Sequence, residues 1–260
     1  MAAYGEDLAY IHHTGFASFS SRSAAGLLAI LGRGRRHKGL VIDLGCGSGV
    51  WARMLSRAGY PVLGIDRSAA MISLARKNAP RAVFRSGSFL KAKLPRCDAV
   101  TALGEVLSYL FDRANGEREL FRFFRRVHDA LTPGGVFVFD LATPGQVAGP
   151  GPTRSYAVGG NWAVLVEKRE DKRRCLLTRR IVTFRQVGSL FRRREELHRL
   201  HLFRESQVAR ALRRSGFRVR RLRGYGAVKF RAGVVGFLAR KPAAFKAGEV
   251  DPLERRAAFD

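Results

Sequence analysis

A short apolar run that leads straight into three alternating glycines constrains the fold of this chain more than any other feature. Residues 40–44 are apolar apart from Asp43, Gly45, Gly47 and Gly49 follow them, and a helical pattern begins at Val50. Glycine lets the backbone turn tightly and come within contact distance of a ligand, where a side chain would obstruct it. The sequence therefore predicts a strand, a ligand-binding turn and a helix at the start of an α/β domain.

The spacing of these glycines separates two classes of nucleotide-binding turn. Loops that bind a pyrophosphate favour the pattern G-x-G-x-x-G. The third glycine of that pattern would fall at position 50, which is occupied by Val50. The spacing therefore disfavours a nicotinamide-dependent oxidoreductase.

Strand-like and helical patterns alternate through most of the chain. Helices are predicted at 23–31, 50–58, 68–77, 117–131 and 205–214, and strands at 40–44, 61–65, 82–84, 98–103, 135–140, 217–223 and 234–240. Strands that alternate with helices indicate a mainly parallel sheet with helices on both faces. The predicted fold is thus an α/β fold with seven strands, of which the last runs antiparallel.

The pattern changes between the fifth and sixth strands of this sheet. A stretch rich in proline and glycine at 143–153 is followed by three strand-like runs without a helix, at 162–168, 174–186 and 190–203. These runs predict a three-stranded antiparallel meander. The predicted organisation is a helical lid segment at 1–34, a ligand-binding core at 35–142, a substrate-cover insertion at 143–203, the end of the core at 204–240 and a tail at 241–260.

Composition limits the partners and the compartment. The 48 Lys and Arg against 21 Asp and Glu give a formal charge of +27, which either attracts polyanions such as nucleic acid or reflects the arginine bias of a GC-rich genome. Cys46, Cys97 and Cys175 are scattered, so we expect reduced thiols and no metal site. Neither a membrane-spanning run nor a secretory signal is visible, and a cytoplasmic location is predicted.

Several motifs together resemble those of the class I S-adenosylmethionine-dependent methyltransferases, in particular the bacterial small-molecule enzymes. D-x-G-x-G-x-G at 43–49 is similar to motif I of that family, and the second strand ends in Asp66, a carboxylate suited to both ribose hydroxyls. Residues 97–105 and 131–140 resemble the family's fourth-strand and fifth-strand motifs. The resemblance implies a Rossmann-like fold and S-adenosylmethionine as cofactor.

The resemblance also implies a set of cofactor-binding residues. Asp43 would orient the methionine part, Asp66 would hold the ribose, and Met71 would pack near the adenine. Many relatives carry an acidic residue after the third strand, where this chain has Ser88, which still accepts one hydrogen bond. The full expected set is Asp43, Gly45, Cys46, Gly47, Gly49, Asp66, Arg67, Met71, Ser88, Leu103 and Gly104.

Methyl transfer asks little of side-chain chemistry, because the sulfonium is already an activated electrophile and positioning supplies much of the catalysis. A general base is needed only when the nucleophile must lose a proton first. The candidate catalytic residues are Glu105, Glu196 and His198, with Tyr10, His12 and His13 as further candidates. Glu196 and His198 would share one face of a strand, either in the cleft or as an ordinary surface pair.

The expected function is methyl transfer by in-line displacement to a nucleophilic oxygen or nitrogen of a small molecule. The alternative is a methyltransferase that acts on RNA or another macromolecule, which only the high positive charge favours. Phe184, Phe191 and Phe203 offer few aromatic groups for base stacking. A protein that binds the cofactor without turnover also remains open.

Overall fold

The computed structural model describes residues 4–33, 38–112, 115–149 and 151–243. The predicted tail therefore lies outside the described residues from position 244 onward. The helices are α1 (Glu6–Phe16), α2 (Ser18–Gly32), α3 (Val50–Arg57), α4 (Ala69–Asn78), α5 (Glu117–Ala130) and α6 (Glu205–Arg214). The strands are β1 (Val41–Leu44), β2 (Val62–Asp66), β3 (Val83–Ser86), β4 (Cys97–Ala102), β5 (Leu131–Ala142), β6 (Thr153–Gly159), β7 (Trp162–Asp171), β8 (Leu176–Val187), β9 (Leu190–His201), β10 (Arg218–Leu222), β11 (Gly224–Tyr225), β12 (Val228–Lys229) and β13 (Val234–Arg240).

Seven strands form the main sheet, in the order β10-β13-β5-β4-β1-β2-β3. Strands β1 to β5 pair in parallel, whereas β13 runs antiparallel to both β5 and β10. The predicted seven-stranded sheet with an antiparallel last strand is confirmed. All of β1 and β4 is buried, as expected for central strands covered on both faces.

Helices cover both faces of the main sheet because each has one apolar stripe. In α5, Leu120, Phe123, Phe124 and Val127 recur at helical spacing and are buried against β5 and α6. On the opposite face, α2 and α3 pack around the buried Trp51. The predicted two-sided α/β core is therefore present.

A second sheet, here called the cover sheet, contains β6, β7, β8 and β9 in antiparallel order. The predicted meander of three strands is wrong in number, because Thr153–Gly159 forms a fourth strand. This strand lies at an edge and is largely exposed, so it lacks the alternation of buried apolar residues that identifies a strand in sequence. The short hairpin of β11 and β12 was not predicted either.

The inner face of the cover sheet packs on α1. Trp162 and Ile181 form an apolar cluster with Ile11, and the buried Asp7 carboxylate accepts a hydrogen bond from Arg192 at 2.7 Å. Within residues 1–34 the sequence predicted one helix, at 23–31, and did not predict α1. Contacts with residues far along the chain stabilise α1, so its local sequence pattern does not identify it.

No helix within the described ranges is both long and apolar enough to cross a bilayer.

Candidate active site

The carboxyl ends of β1, β2 and β4 open onto a deep cleft. It holds about 980 Å³ of space not filled by atoms, part of it open to solvent. The turn after β1, the loop after β4 and residues of α1 line it. This edge of a parallel sheet is where α/β folds bind ligands, so the cleft is the candidate active site.

The three glycines of the turn after β1 are required for different reasons. All have left-handed backbone angles, with φ of 61° at Gly45, 52° at Gly47 and 76° at Gly49. A Cβ on Gly45 would lie 2.5 Å from the Val106 side chain, and one on Gly49 would lie 2.9 Å from the Cα of Ala75. Nothing lies within 4 Å of a Cβ on Gly47, which lines the cleft together with Gly45. Gly49 thus faces α4 rather than the cleft.

Asp66 ends β2 at the wall of the cleft. Its carboxylate accepts the backbone N–H groups of Gly47 and Ser68, both at 2.9 Å. Burial raises the pKa of Asp66, although these backbone hydrogen bonds oppose the rise. The carboxylate therefore fixes the glycine turn and still presents lone pairs to a ligand.

Asp43 lies one layer beneath the cleft and does not line it. It is 2% exposed, and its carboxylate accepts the Thr101 hydroxyl at 2.9 Å, while Trp51 Nε1 lies 3.2 Å from the same hydroxyl. Burial raises the pKa of Asp43 to about 7. Its observed contacts join β1, β4 and α3, so it supports the turn from behind.

Some of the remaining residues of the expected cofactor set line the cleft, and others do not. Arg67, Met71 and Ser88 line the cleft, and the Ser88 hydroxyl is also within 3.3 Å of the backbone N–H of Leu90. The Cys46 side chain is buried and lies away from the cleft. The cleft wall therefore combines an apolar thioether with a hydroxyl and a cation.

The loop after β4 is held from below by Asp140, whose role was not predicted from the sequence. Its carboxylate accepts the backbone N–H groups of Gly104 at 2.9 Å and Glu105 at 2.5 Å, and the Tyr225 hydroxyl at 2.9 Å. Burial raises the pKa of Asp140 to about 6. Leu103 and Gly104 line the cleft. A single charged residue after the apolar run 136–139 is the signal that could have identified this support.

Glu105 does not line the cleft, because its side chain is bound elsewhere. Its carboxylate lies 2.7 Å from Arg179 and 3.1 Å from Arg231, and Gln146 also donates to it. Burial would raise the pKa of Glu105, but the two guanidinium groups hold it below its ordinary value. The Glu105 carboxylate is therefore ionised, and Arg179, Arg231 and Gln146 already bind it.

Glu196 and His198 share the inner face of β9, as the alternation predicts, and neither lines the cleft. The Glu196 carboxylate accepts the backbone N–H groups of Tyr4 at 3.0 Å and Gly5 at 2.9 Å, and it lies 2.8 Å from His198 Nε2. The Ser68 hydroxyl donates to the Tyr4 carbonyl at 2.6 Å. These contacts hold Tyr4 over the cleft in a left-handed conformation, with φ of 51°.

Aromatic residues form the roof of the cleft, and two of them, Tyr4 and Tyr109, were not predicted from the sequence. The two hydroxyls lie 3.1 Å apart, and Arg179 donates to the Tyr109 hydroxyl at 3.2 Å. His12 lines the same space. Burial, and then the neighbouring His13, lower the pKa of His12 to about 4, so this imidazole is neutral at pH 7.

Positive charge collects beside the loop after β4. Arg179 is 8% exposed, the Arg231 side chain is 54% exposed, and Lys168 lies near both. Burial, then Arg231 and Arg179, lower the pKa of Lys168 to about 8. Within this cluster, the Glu105 carboxylate compensates part of the positive charge.

Comparisons with known proteins find methyltransferases. A family model described as a methyltransferase domain matches residues 41–135. A dTDP-3-amino-3,6-dideoxy-alpha-D-glucopyranose N,N-dimethyltransferase from Streptomyces fradiae is 29% identical over 84% of this chain and 86% of its own length. Other curated methyltransferases align over 40% to 56% of their own length.

Solved structures share the fold. An S-adenosylmethionine-dependent methyltransferase from Clostridium acetobutylicum has a TM-score of 0.76 at 17% identity, covering 90% of this chain and 98% of its own. An amino pentose methyltransferase from Micromonospora echinaspora, solved with S-adenosylmethionine bound, has a TM-score of 0.68 at 18% identity, covering 90% of this chain and 94% of its own.

Proposed function

We propose that this chain is a class I S-adenosylmethionine-dependent methyltransferase and that it methylates the amino nitrogen of a sugar that carries an anionic group. The observation that carries the choice of nitrogen is that none of the three expected base residues lines the cleft. Glu105 is bound by two arginines, Glu196 accepts the backbone N–H of Tyr4, and His198 Nε2 lies 2.8 Å from Glu196. A neutral amine attacks with its own lone pair and needs no base beforehand.

The residues of the cleft fit the cofactor. Gly47 leaves open the space that a Cβ would fill, Asp66 presents a carboxylate suited to two hydroxyls, and Met71 adds an apolar wall. Bound S-adenosylmethionine supplies a methyl group on a positively charged sulfur. Asp66 would hold the ribose, Gly47 would lie under the amino-acid part, and Met71 would pack on the adenine.

The tyrosine hydroxyls of the roof would orient the acceptor. Tyr109 already accepts a hydrogen bond from Arg179 and lies next to Tyr4, so a second lone pair or the Tyr4 oxygen can accept an N–H group from an amine. That bond would direct the nitrogen lone pair toward the cleft. Because His12 is neutral, it adds no charge to repel the cationic cofactor.

The cationic cluster supports an acceptor with a negative group. Arg231 and Lys168 lie beside the loop that ends at Glu105, on the side away from the ribose position, and Arg231 is largely exposed. Their charge would attract a phosphate or a carboxylate. The relative from Streptomyces fradiae is named for an amino sugar linked to a nucleoside diphosphate, which combines both features.

The test compares three acceptors. The protein is incubated with S-adenosylmethionine and dTDP-3-amino-3,6-dideoxyglucose, its 3-hydroxy counterpart, or the free amino sugar, and methylated product is measured by mass spectrometry. Fast methylation of the first alone is expected. Equal rates with the hydroxy sugar would refute the nitrogen acceptor, and equal rates with the free sugar would refute the anionic group.

The macromolecular alternative gains no specific support from the observed surface. Of the aromatic residues considered for base stacking, Phe203 is buried in the main core. The predicted cytoplasmic location fits an enzyme whose cysteines all remain thiols, and we include that location in the proposal.

A further inference from the structure

The cover sheet has a second apolar face, turned away from α1, which we call the outer face. Its most exposed apolar side chains are Tyr156 (80%), Val158 (70%), Phe191 (58%), Leu165 (47%) and Leu197 (44%). Isolated exposed apolar residues are common, but a contiguous group on one face marks an interaction site.

Strand register shows that Tyr156, Val158 and Leu165 are neighbours, whereas Phe191 and Leu197 lie on β9 at either side of Glu195. Tyr156 pairs with Leu165, which pairs with Val182 on the next strand. Val158 likewise pairs with Ala163. The apolar stripe thus crosses three strands without interruption.

The inner face of the cover sheet is not available to a partner, because α1 already covers it. Trp162 and Ile181 alternate with the outer residues along β7 and β8 and are buried against α1. A contiguous apolar stripe that remains exposed on the second face is typical of an interaction site.

The charges of the outer face identify the kind of partner. Glu167 pairs with Arg154 and Arg169, both at 2.9 Å. Glu195 pairs with Arg180 at 2.6 Å and with Arg193 at 2.7 Å. In a chain of formal charge +27, every arginine of these two groups therefore has a glutamate partner, and each group keeps a net charge of only +1. A polyanion would prefer unpaired arginines, whereas a second copy of the chain needs a face where self-repulsion is weak.

The size of the face also suits a second copy. The four strands contain 7, 10, 12 and 12 residues. At about 3.3 Å per residue and about 4.8 Å between strands, the sheet covers roughly 650 Å², or roughly 1,300 Å² for two partners. Specific interfaces exceed about 1,000 Å² in total.

We propose that two copies of this chain pack outer face to outer face about a twofold axis. The contact is isologous, since the same patch serves both partners. Each copy keeps its own cleft, because the cleft borders the inner face of the cover sheet. The dimer therefore goes beyond the proposed function and does not depend on the acceptor.

The test measures mass in solution for the full chain and for two variants. Wild type is expected to sediment with twice the 28.8 kDa of one chain and to dissociate on dilution. Tyr156→Glu combined with Leu165→Glu should give a monomer. The matched control is Val83→Glu, which changes a side chain that is 59% exposed on β3 and should leave the dimer intact.

Circular dichroism and S-adenosylmethionine binding show that each variant is folded. If the double variant fails to fold, the milder Val158→Lys replaces it, with the same expected loss of dimer. A wild type that stays monomeric at high concentration, or an outer-face variant that is folded and still dimeric, overturns the proposal. Binding of a monomer to lipid vesicles or to another protein through this face would overturn it as well.

Discussion

Alanine substitutions at Gly47 and Gly49 are expected to act on different properties. Both residues are left-handed, with φ of 52° and 76°, so alanine costs about 1–2 kcal/mol at either position. At Gly49 the added Cβ would also lie 2.9 Å from the Cα of Ala75, and such overpacking costs a further ~1–3 kcal/mol. Gly49→Ala should therefore lose about 2–5 kcal/mol of stability, a large share of the ~5–15 kcal/mol of a typical protein.

At Gly47 the added Cβ has open space, with nothing within 4 Å. Gly47→Ala should lose only the backbone cost of about 1–2 kcal/mol. Its methyl group, however, would occupy space in which the cofactor is proposed to lie. A loss of about 1.4 kcal/mol of contact energy weakens binding tenfold, so the Kd for S-adenosylmethionine should rise about tenfold or more.

Urea unfolding of the ligand-free variants measures stability, and titration calorimetry measures the Kd. Gly134→Ala is the matched control, because Gly134 has φ of 74° and equally open space but lies outside the cleft. It should show the backbone cost and an unchanged Kd. The reasoning is refuted if Gly47→Ala binds the cofactor like wild type, or if Gly49→Ala is as stable as Gly134→Ala.

Four further predictions concern charged residues. Burial raises the pKa of Asp43 to about 7, above the value of about 3.9 in an unfolded chain; stability should therefore fall as the pH rises from about 4 to 7, and urea unfolding of Asp43→Asn should show a smaller slope, because Asp140, whose pKa is raised to about 6, still contributes. Asp66→Asn should weaken S-adenosylmethionine binding about tenfold or more by calorimetry, since a hydrogen bond to a charged group contributes ~1.5–3 kcal/mol; an unchanged Kd would remove Asp66 from the cofactor site. Arg179→Met leaves the Glu105 carboxylate buried with less compensation and should cost about 3–5 kcal/mol in thermal or urea unfolding, whereas Arg179→Lys should recover part of it; equal losses would show that charge is unimportant there. Glu196→Gln should lose one of the hydrogen bonds to the backbone at Tyr4 and speed the release of S-adenosylhomocysteine in stopped-flow fluorescence, and an unaltered release rate would contradict this.

Local patterns were sufficient to predict most of the α/β core. The strand and glycine turn at 41–49, the strand ending in Asp66 and helix α6 each depend on neighbours in sequence, so periodicity and turn residues identify them. The edge strand Thr153–Gly159 was missed because its exposed position removes the apolar alternation. The sequence therefore predicts well those helices and strands whose pattern of buried residues is set by neighbours in sequence.

The contacts of the candidate site depend on residues distant in sequence, and these could not be predicted. Glu105 is bound by Arg179, which lies 74 positions away, and Glu196 is bound to the backbone of Tyr4, 192 positions away. Residue type alone made both glutamates candidate bases, since a carboxylate near the site has the right chemistry. Only the fold shows that each already has partners.

The hydrogen bonds from Glu196 to the start of α1 have a practical consequence for engineering. The strand that would be redesigned for a new acceptor also anchors Tyr4, which lines the cleft. We expect changes made there for selectivity to alter how quickly spent donor is exchanged, so variants should be screened for turnover and specificity together.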